Sequence, residues 1–90
     1  MRRFTPGEFE TARNSLSERL QSAEQRRDEP ELRELIKETY NILLRLAQCV
    51  PPVNHPIRAT HDLLVYEIQL LSWSIMVAAE SIQPTMFSMD

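Results

Sequence analysis

Glycine is nearly missing from this chain, with Gly7 the one example in 90 residues. Loops that cradle phosphate need several glycines so that backbone N–H groups can approach the anion, and a nucleotide-binding loop of that kind is excluded. Tight hairpin turns also lean on glycine, and the chain has hardly any alternating apolar and polar stretches, so strands are not expected. Cysteine is equally scarce. Cys49 alone cannot make an internal disulfide, and a reducing, cytoplasmic setting is the expectation. Lysine occurs once, at Lys37, and the other nine basic residues are arginines. No base follows Arg58, so the last 32 residues carry four acids and no cation. The opening MRRFTPGEFE has two arginines but no apolar stretch behind them, which does not read as a secretory signal.

What is present is ordinary soluble-protein material, 42% hydrophobic and 26% charged, in an amount that fits one domain over residues 1–90. A chain this short buries only roughly 60–65% of its unfolded surface, leaving a thin stability margin and room for self-association. Ten bases against thirteen acids give a net charge of -3, which argues against a general polyanion-binding surface.

Six prolines punctuate an all-helical reading. Thr5, Pro6 and Glu8 have the form of a capping box with proline in the first turn, and Phe4 and Phe9 stand where a hydrophobic staple needs them. A first helix is expected over 6–26, with Phe9, Ala12, Leu16, Leu20 and Ala23 as its apolar stripe. Asp28, Glu29, Pro30 and Glu31 give a second start signal, for a helix over 30–50. Leu32, Leu35, Ile36, Leu43, Leu46 and Val50 share one face of it, and Tyr40, Ile42 and Leu44 are expected to widen that face toward its C-terminal half. The short join between these helices predicts an antiparallel hairpin. Residues 51–56, PPVNHP, form a rigid connection that stops the second helix. A tail covers 83–90.

The third helix, expected over 57–82, is the informative one. Leu64, Ile68, Leu71, Ile75, Ala78 and Ile82 make an unbroken heptad stripe. A second stripe, Leu63, Leu70 and Val77, repeats every seven residues beside it, and Val65, Tyr66, Trp73 and Met76 spread apolar surface round the back. Two partner helices in so small a protein cannot cover a helix that is greasy on most sides, so a further partner is expected. Leu63–Ala79 carries only one charge, yet it is short for a membrane span, holds Glu67 and Gln69, and has no Lys or Arg cluster flanking it, so a core or interface helix is the preferred reading. Glu67 sits on a side otherwise given to burial and should be paired. Arg13 and Arg19, either side of the first helix's stripe, are the expected donors of a buried ion pair.

Catalytic and metal-binding patterns are thin. Cys49, His55 and His61 lie six residues apart, which fits no usual zinc spacing, and a Cys49 nucleophile with His55 as base would lack an oxyanion donor. No catalytic residue, metal, cofactor or small-molecule substrate is expected.

The preferred expectation is a small non-enzymatic interaction protein, of adaptor, chaperone or inhibitor type, built as an all-α three-helix bundle. It would homodimerise or dock on another helical protein through Leu63, Leu70, Trp73, Met76 and Val77, with Trp73 as anchor. The alternative is binding of double-stranded RNA or other nucleic acid by a helical dimer. Arg26, Arg27, Arg33, Lys37 and Arg45 would then clamp phosphates, an arrangement broadly similar to small viral helical RNA-silencing suppressors by analogy and without a shared motif. Glu31, Glu34 and Glu38 share that face and oppose it. In the second half of the chain, the turn with Pro52, Asn54 and Pro56, followed by Leu63, Leu64 and Gln69, resembles type III secretion needle subunits. Cys49 and the acidic tail depart from that pattern, and no functional residue is carried over from it.

Overall fold

A computed structural model describes residues 3–82 and places three helices there: α1 (Pro6–Arg26), α2 (Glu29–Ala47) and α3 (Arg58–Ile82). No strand occurs among the described residues, and the expected tail 83–90 lies outside them.

Each boundary has a local cause. Thr5 is the N-cap of α1, but its side chain does not cap in the expected way. Its carbonyl accepts from the Glu8 N–H at 3.3 Å, while its hydroxyl donates to the Glu8 carboxylate at 3.0 Å. The Phe4 and Phe9 rings stack with centroids 5.8 Å apart, so the apolar staple forms where its polar counterpart does not. At α2, the Asp28 carboxylate accepts from the Glu31 N–H at 3.2 Å, satisfying one of the orphan donors of the first turn. The helix stops at Ala47, short of the expected Val50. A proline ring clashes with the carbonyl four residues back, and Pro51 therefore ends the helix at residue 47.

The hairpin turn between α1 and α2 is closed by a Schellman arrangement. The Asp28 N–H donates to the Ala23 carbonyl at 2.9 Å and the Arg27 N–H to the Glu24 carbonyl at 3.2 Å. This requires Arg27 to adopt the left-handed conformation, φ 52 and ψ 46, which a side chain disfavours. Arg27→Gly is accordingly expected to raise the unfolding free energy by about 0.5–1 kcal/mol, since relief of the strained backbone outweighs the added freedom of the unfolded chain. Urea denaturation of the two proteins checks the sign, and a destabilised Arg27→Gly protein would show that the arginine side chain matters more than its backbone.

The three inner faces meet in one core. Leu16 of α1, Leu32, Leu35 and Leu46 of α2, and Leu64, Ile68 and Ile75 of α3 are all essentially inaccessible to water. Thr39 joins them at the centre of the α2 stripe. Its hydroxyl donates back to the Ile36 carbonyl at 2.7 Å, so a polar residue is buried with its hydrogen bond made inside its own helix. Tyr40 and Leu44 do not widen the buried face as expected. They are exposed, because α1 and α3 together cover a narrower arc of α2 than its apolar residues occupy.

His61 ties the end of α2 to the start of α3. It is buried, and its Nε2–H donates to the Leu46 carbonyl at 2.7 Å, a group that also accepts the Cys49 N–H at 3.2 Å. A carbonyl of the last turn of α2 is thus satisfied in part from the neighbouring element. The Phe4 ring closes over His61 edge-on at 5.0 Å. In the connection, the His55 ring accepts the Ile57 N–H at 3.2 Å, and Arg58 donates to the Pro51 carbonyl at 3.1 Å. Both histidines are therefore engaged in holding the turn. Cys49 is buried beside them at the end of α2.

Candidate functional site

With its inner stripe committed to the core, α3 turns a second apolar stripe outward. Leu63, Tyr66, Leu70, Trp73 and Val77 are all exposed, from 49% at Leu70 to 66% at Trp73. Their spacing is 3, 4, 3, 4, the pattern of a coiled-coil seam, and at 100° per residue their mean direction is opposite Ile68, which points to the centre of the core. One helix therefore carries two seams, and only one of them is covered within the chain. The outer five side chains offer roughly 500 Å² of accessible surface, within the range of patches that are functional on small proteins.

Of the expected interface residues, Leu63, Leu70, Trp73 and Val77 lie on this seam, and Met76 lies half-buried on its flank. Tyr66 completes the spacing and belongs with them. Its signal was in the sequence, as the i+3 neighbour of Leu63 and the i−4 neighbour of Leu70. Shallow grooves run alongside. One of about 550 Å³ lies between α2 and α3 and is lined by Leu43, Ala47, Val65, Tyr66 and others. A second, of about 290 Å³, is formed by Trp73, Met76, Val77 and Glu80. Oε2 of Glu80 is shut off from solvent with no hydrogen-bond partner among the described residues.

Two of the acids that border the seam, Glu67 and Asp62, are already matched. Arg13 of α1 donates to the Glu67 carboxylate at 2.7 Å. This pair is not buried, since the side chains are 27% and 33% exposed, and it sits at the edge of the α1–α3 groove. Arg19 does not reach Glu67. It lies across the hairpin, donating to Glu31 at 2.9 Å and Glu38 at 2.8 Å, and the two carboxylates, Glu38 foremost, hold its proton more tightly than usual. The physical reason is position: Arg19 is on the α2 side of the α1 stripe and Arg13 on the α3 side. On the opposite flank of the seam, Arg58 donates to Asp62 at 2.9 Å and lowers the carboxyl's affinity for protons.

The residues considered as phosphate clamps are likewise distributed among acids. Arg26 pairs with Asp28 at 3.5 Å, Lys37 with Glu34 at 3.3 Å, and Arg33 with Glu29 one turn away. Arg45 pairs with Glu8 of α1 and lies over the Phe9 ring at 5.1 Å. Arg27 is the strained residue of the hairpin turn. The structure does not gather these five bases into a continuous cationic stripe; it intersperses them with acids as on a solvated face. Among the described residues no three His, Cys, Asp or Glu side chains come together as metal ligands.

By length and composition α3 is also apolar enough to cross a membrane, and 28% of its most apolar window is buried inside the bundle. No protein-family model matches the chain, and no curated protein or solved structure is significantly similar to it.

Proposed function

We propose that this protein is a small non-enzymatic helical interaction protein that works by helix-face association, and that its first partner is a second copy of itself. The outward seam of α3 supports this reading: five large side chains in coiled-coil register, exposed, with the neighbouring Glu67 and Asp62 already paired to Arg13 and Arg58. Two copies joined through these faces and their flanks would bury roughly 1,200 Å² in total, the lower edge of what stable protein interfaces use. Trp73 is the anchor, because aromatic residues at the middle of an interface contribute disproportionately to affinity. An adaptor, chaperone or inhibitor role follows from a surface that recognises helices, and an intracellular location suits a protein with one buried cysteine.

Light scattering coupled to size exclusion tests this directly. A mass of about twice 10.5 kDa at micromolar concentration is expected, and a monomer there would overturn self-association. In a parallel gel-shift measurement, duplex RNA and DNA are expected to remain unshifted at moderate salt, since Arg26, Arg33, Lys37 and Arg45 are occupied by acids. A salt-sensitive shift lost on replacing Arg26 and Arg33 with alanine would instead support the nucleic-acid alternative.

A further inference from the structure

We infer that α2 as well as α3 holds the second copy, and that the contact surface runs from the outer seam of α3 across the α2–α3 groove to Tyr40 and Leu44. This deepens the self-association proposed above and rests on it. The starting observation is on α2. Tyr40, Leu43, Leu44 and Ala47 stand at i, i+3, i+4 and i+7, which at 100° per residue places them within one arc of about 100°. Tyr40 and Leu44 are 59% and 61% exposed, as open to solvent as the seam of α3 itself. Leu43 and Ala47 line the groove of about 550 Å³, and Val65 and Tyr66 of α3 form its opposite wall. Tyr66 belongs to both surfaces, so the apolar patch is continuous over two helices.

The width of the patch decides the occupant. A single helix of another protein laid in the groove would cover Leu43, Ala47, Val65 and Tyr66, and would leave the far side of the seam, Leu70 and Val77, in water. A second copy brings two helices. Its patch also carries both halves of the fit, projecting side chains (Tyr40, Leu44, Tyr66 and Trp73) and a groove to receive them, as a two-fold interface needs when one surface must be its own complement. Tyr40 and Leu44 add roughly 250 Å² of accessible surface per copy. The total buried by two copies then rises from roughly 1,200 Å² to roughly 1,700 Å², the middle of the range for stable interfaces.

The charges select the same side. On the other flank of the seam, the groove between α1 and α3 is lined by Arg13, Asn14, Ser17, Glu67 and Ser74, and a partner leaning that way would strip water from the Arg13–Glu67 pair. On the α2 side the exposed neighbours are Asn41, Gln48 and Gln69, polar but uncharged, as at the rim of an interface. The ion pair on this side, Arg58–Asp62, stands at the start of α3, at the end of the groove. Toward the start of α2 the same face carries Arg33 and Lys37, each paired with an acid of its own helix, and there the apolar patch ends.

Sedimentation of a Tyr40→Glu, Leu44→Glu double variant tests the assignment. Both side chains lie outside the core, so the helical circular dichroism is expected to be unchanged while dimerisation weakens at least about a hundredfold. Ser17→Lys, on the α1 flank, is expected to leave the affinity within about threefold. In the unaltered chain, hydroxyl-radical labelling of Tyr40 is expected to fall between a dilute monomeric and a concentrated dimeric sample, which reads the contact without any variant. Undiminished dimerisation of the double variant, or equal labelling of Tyr40 at both concentrations, would overturn the α2 contact while leaving self-association through α3 standing. A loss with Ser17→Lys as large as that of the double variant would overturn the lean toward α2. An unaltered chain that stays monomeric, or that floats with phosphatidylcholine vesicles instead of dimerising, would overturn the proposed function itself.

Discussion

Replacing Ile68 with alanine is expected to lower the unfolding free energy by about 2–5 kcal/mol and to bring the melting temperature down by at least about 10 °C. Ile68 is fully excluded from water at the middle of the α3 inner stripe, where both other helices converge on α3. Removing its outer carbons takes away their transfer free energy and leaves a cavity that three short-linked helices cannot close without disturbing Leu35 or Leu64. The loss is large against the whole, since a domain of this length is held by only about 5–13 kcal/mol. Ile68→Val, which removes one methylene, is expected to lose about 0.5–1.5 kcal/mol. Urea titration of the two variants checks the ratio. Equal small losses in both would mean that the centre of the bundle is not close-packed.

The helices and the core stripes were legible because each is written several times over. In α1, the proline in the first turn, the Phe4–Phe9 staple and a regular apolar stripe all specify one helix with one inner face. In α3 the heptad Leu64, Ile68, Leu71, Ile75 left little choice of which side turns inward. What could not be read was how wide an arc of each helix its neighbours would cover. Tyr40 and Leu44 have the same residue chemistry as Ile42, and only the placement of α1 and α3 decides that Ile42 is buried and the other two are not. Polar residues hid in the same way. Thr39 and His61 lie on core stripes, yet their side chains gave no sign of burial, because the bonds that permit it, to the Ile36 and Leu46 carbonyls, exist only once the helices are formed. Pairing of long side chains was half legible. Arg13 and Glu67 come together, while Arg19 finds two acids on α2, a choice set by the hairpin geometry and not by residue type.

The same competition between neighbours leaves α3 with its second seam uncovered, and a double substitution there separates association from folding. Changing Leu70 and Trp73 together to glutamate is expected to convert the protein to a monomer, weakening dimerisation by at least about a thousandfold. In the proposed dimer both residues lie on the paired seam, so the change removes the anchor aromatic and puts four carboxylates where they would have to leave water. Neither side chain belongs to the intramolecular core. Trp73 is 66% and Leu70 49% exposed in the isolated chain, and far-ultraviolet circular dichroism should therefore remain that of a three-helix protein. Melting temperature supplies the second readout. For the unaltered chain it should rise with protein concentration, because association stabilises only the folded form, and for the double variant it should be independent of concentration. A double variant that still sediments as a dimer would move the interface off the seam of α3, to the exposed Tyr40 and Leu44 of α2 alone. One that loses its helical signal would mean that the outer seam of α3 is needed for the fold of each chain, and that association and folding are a single event.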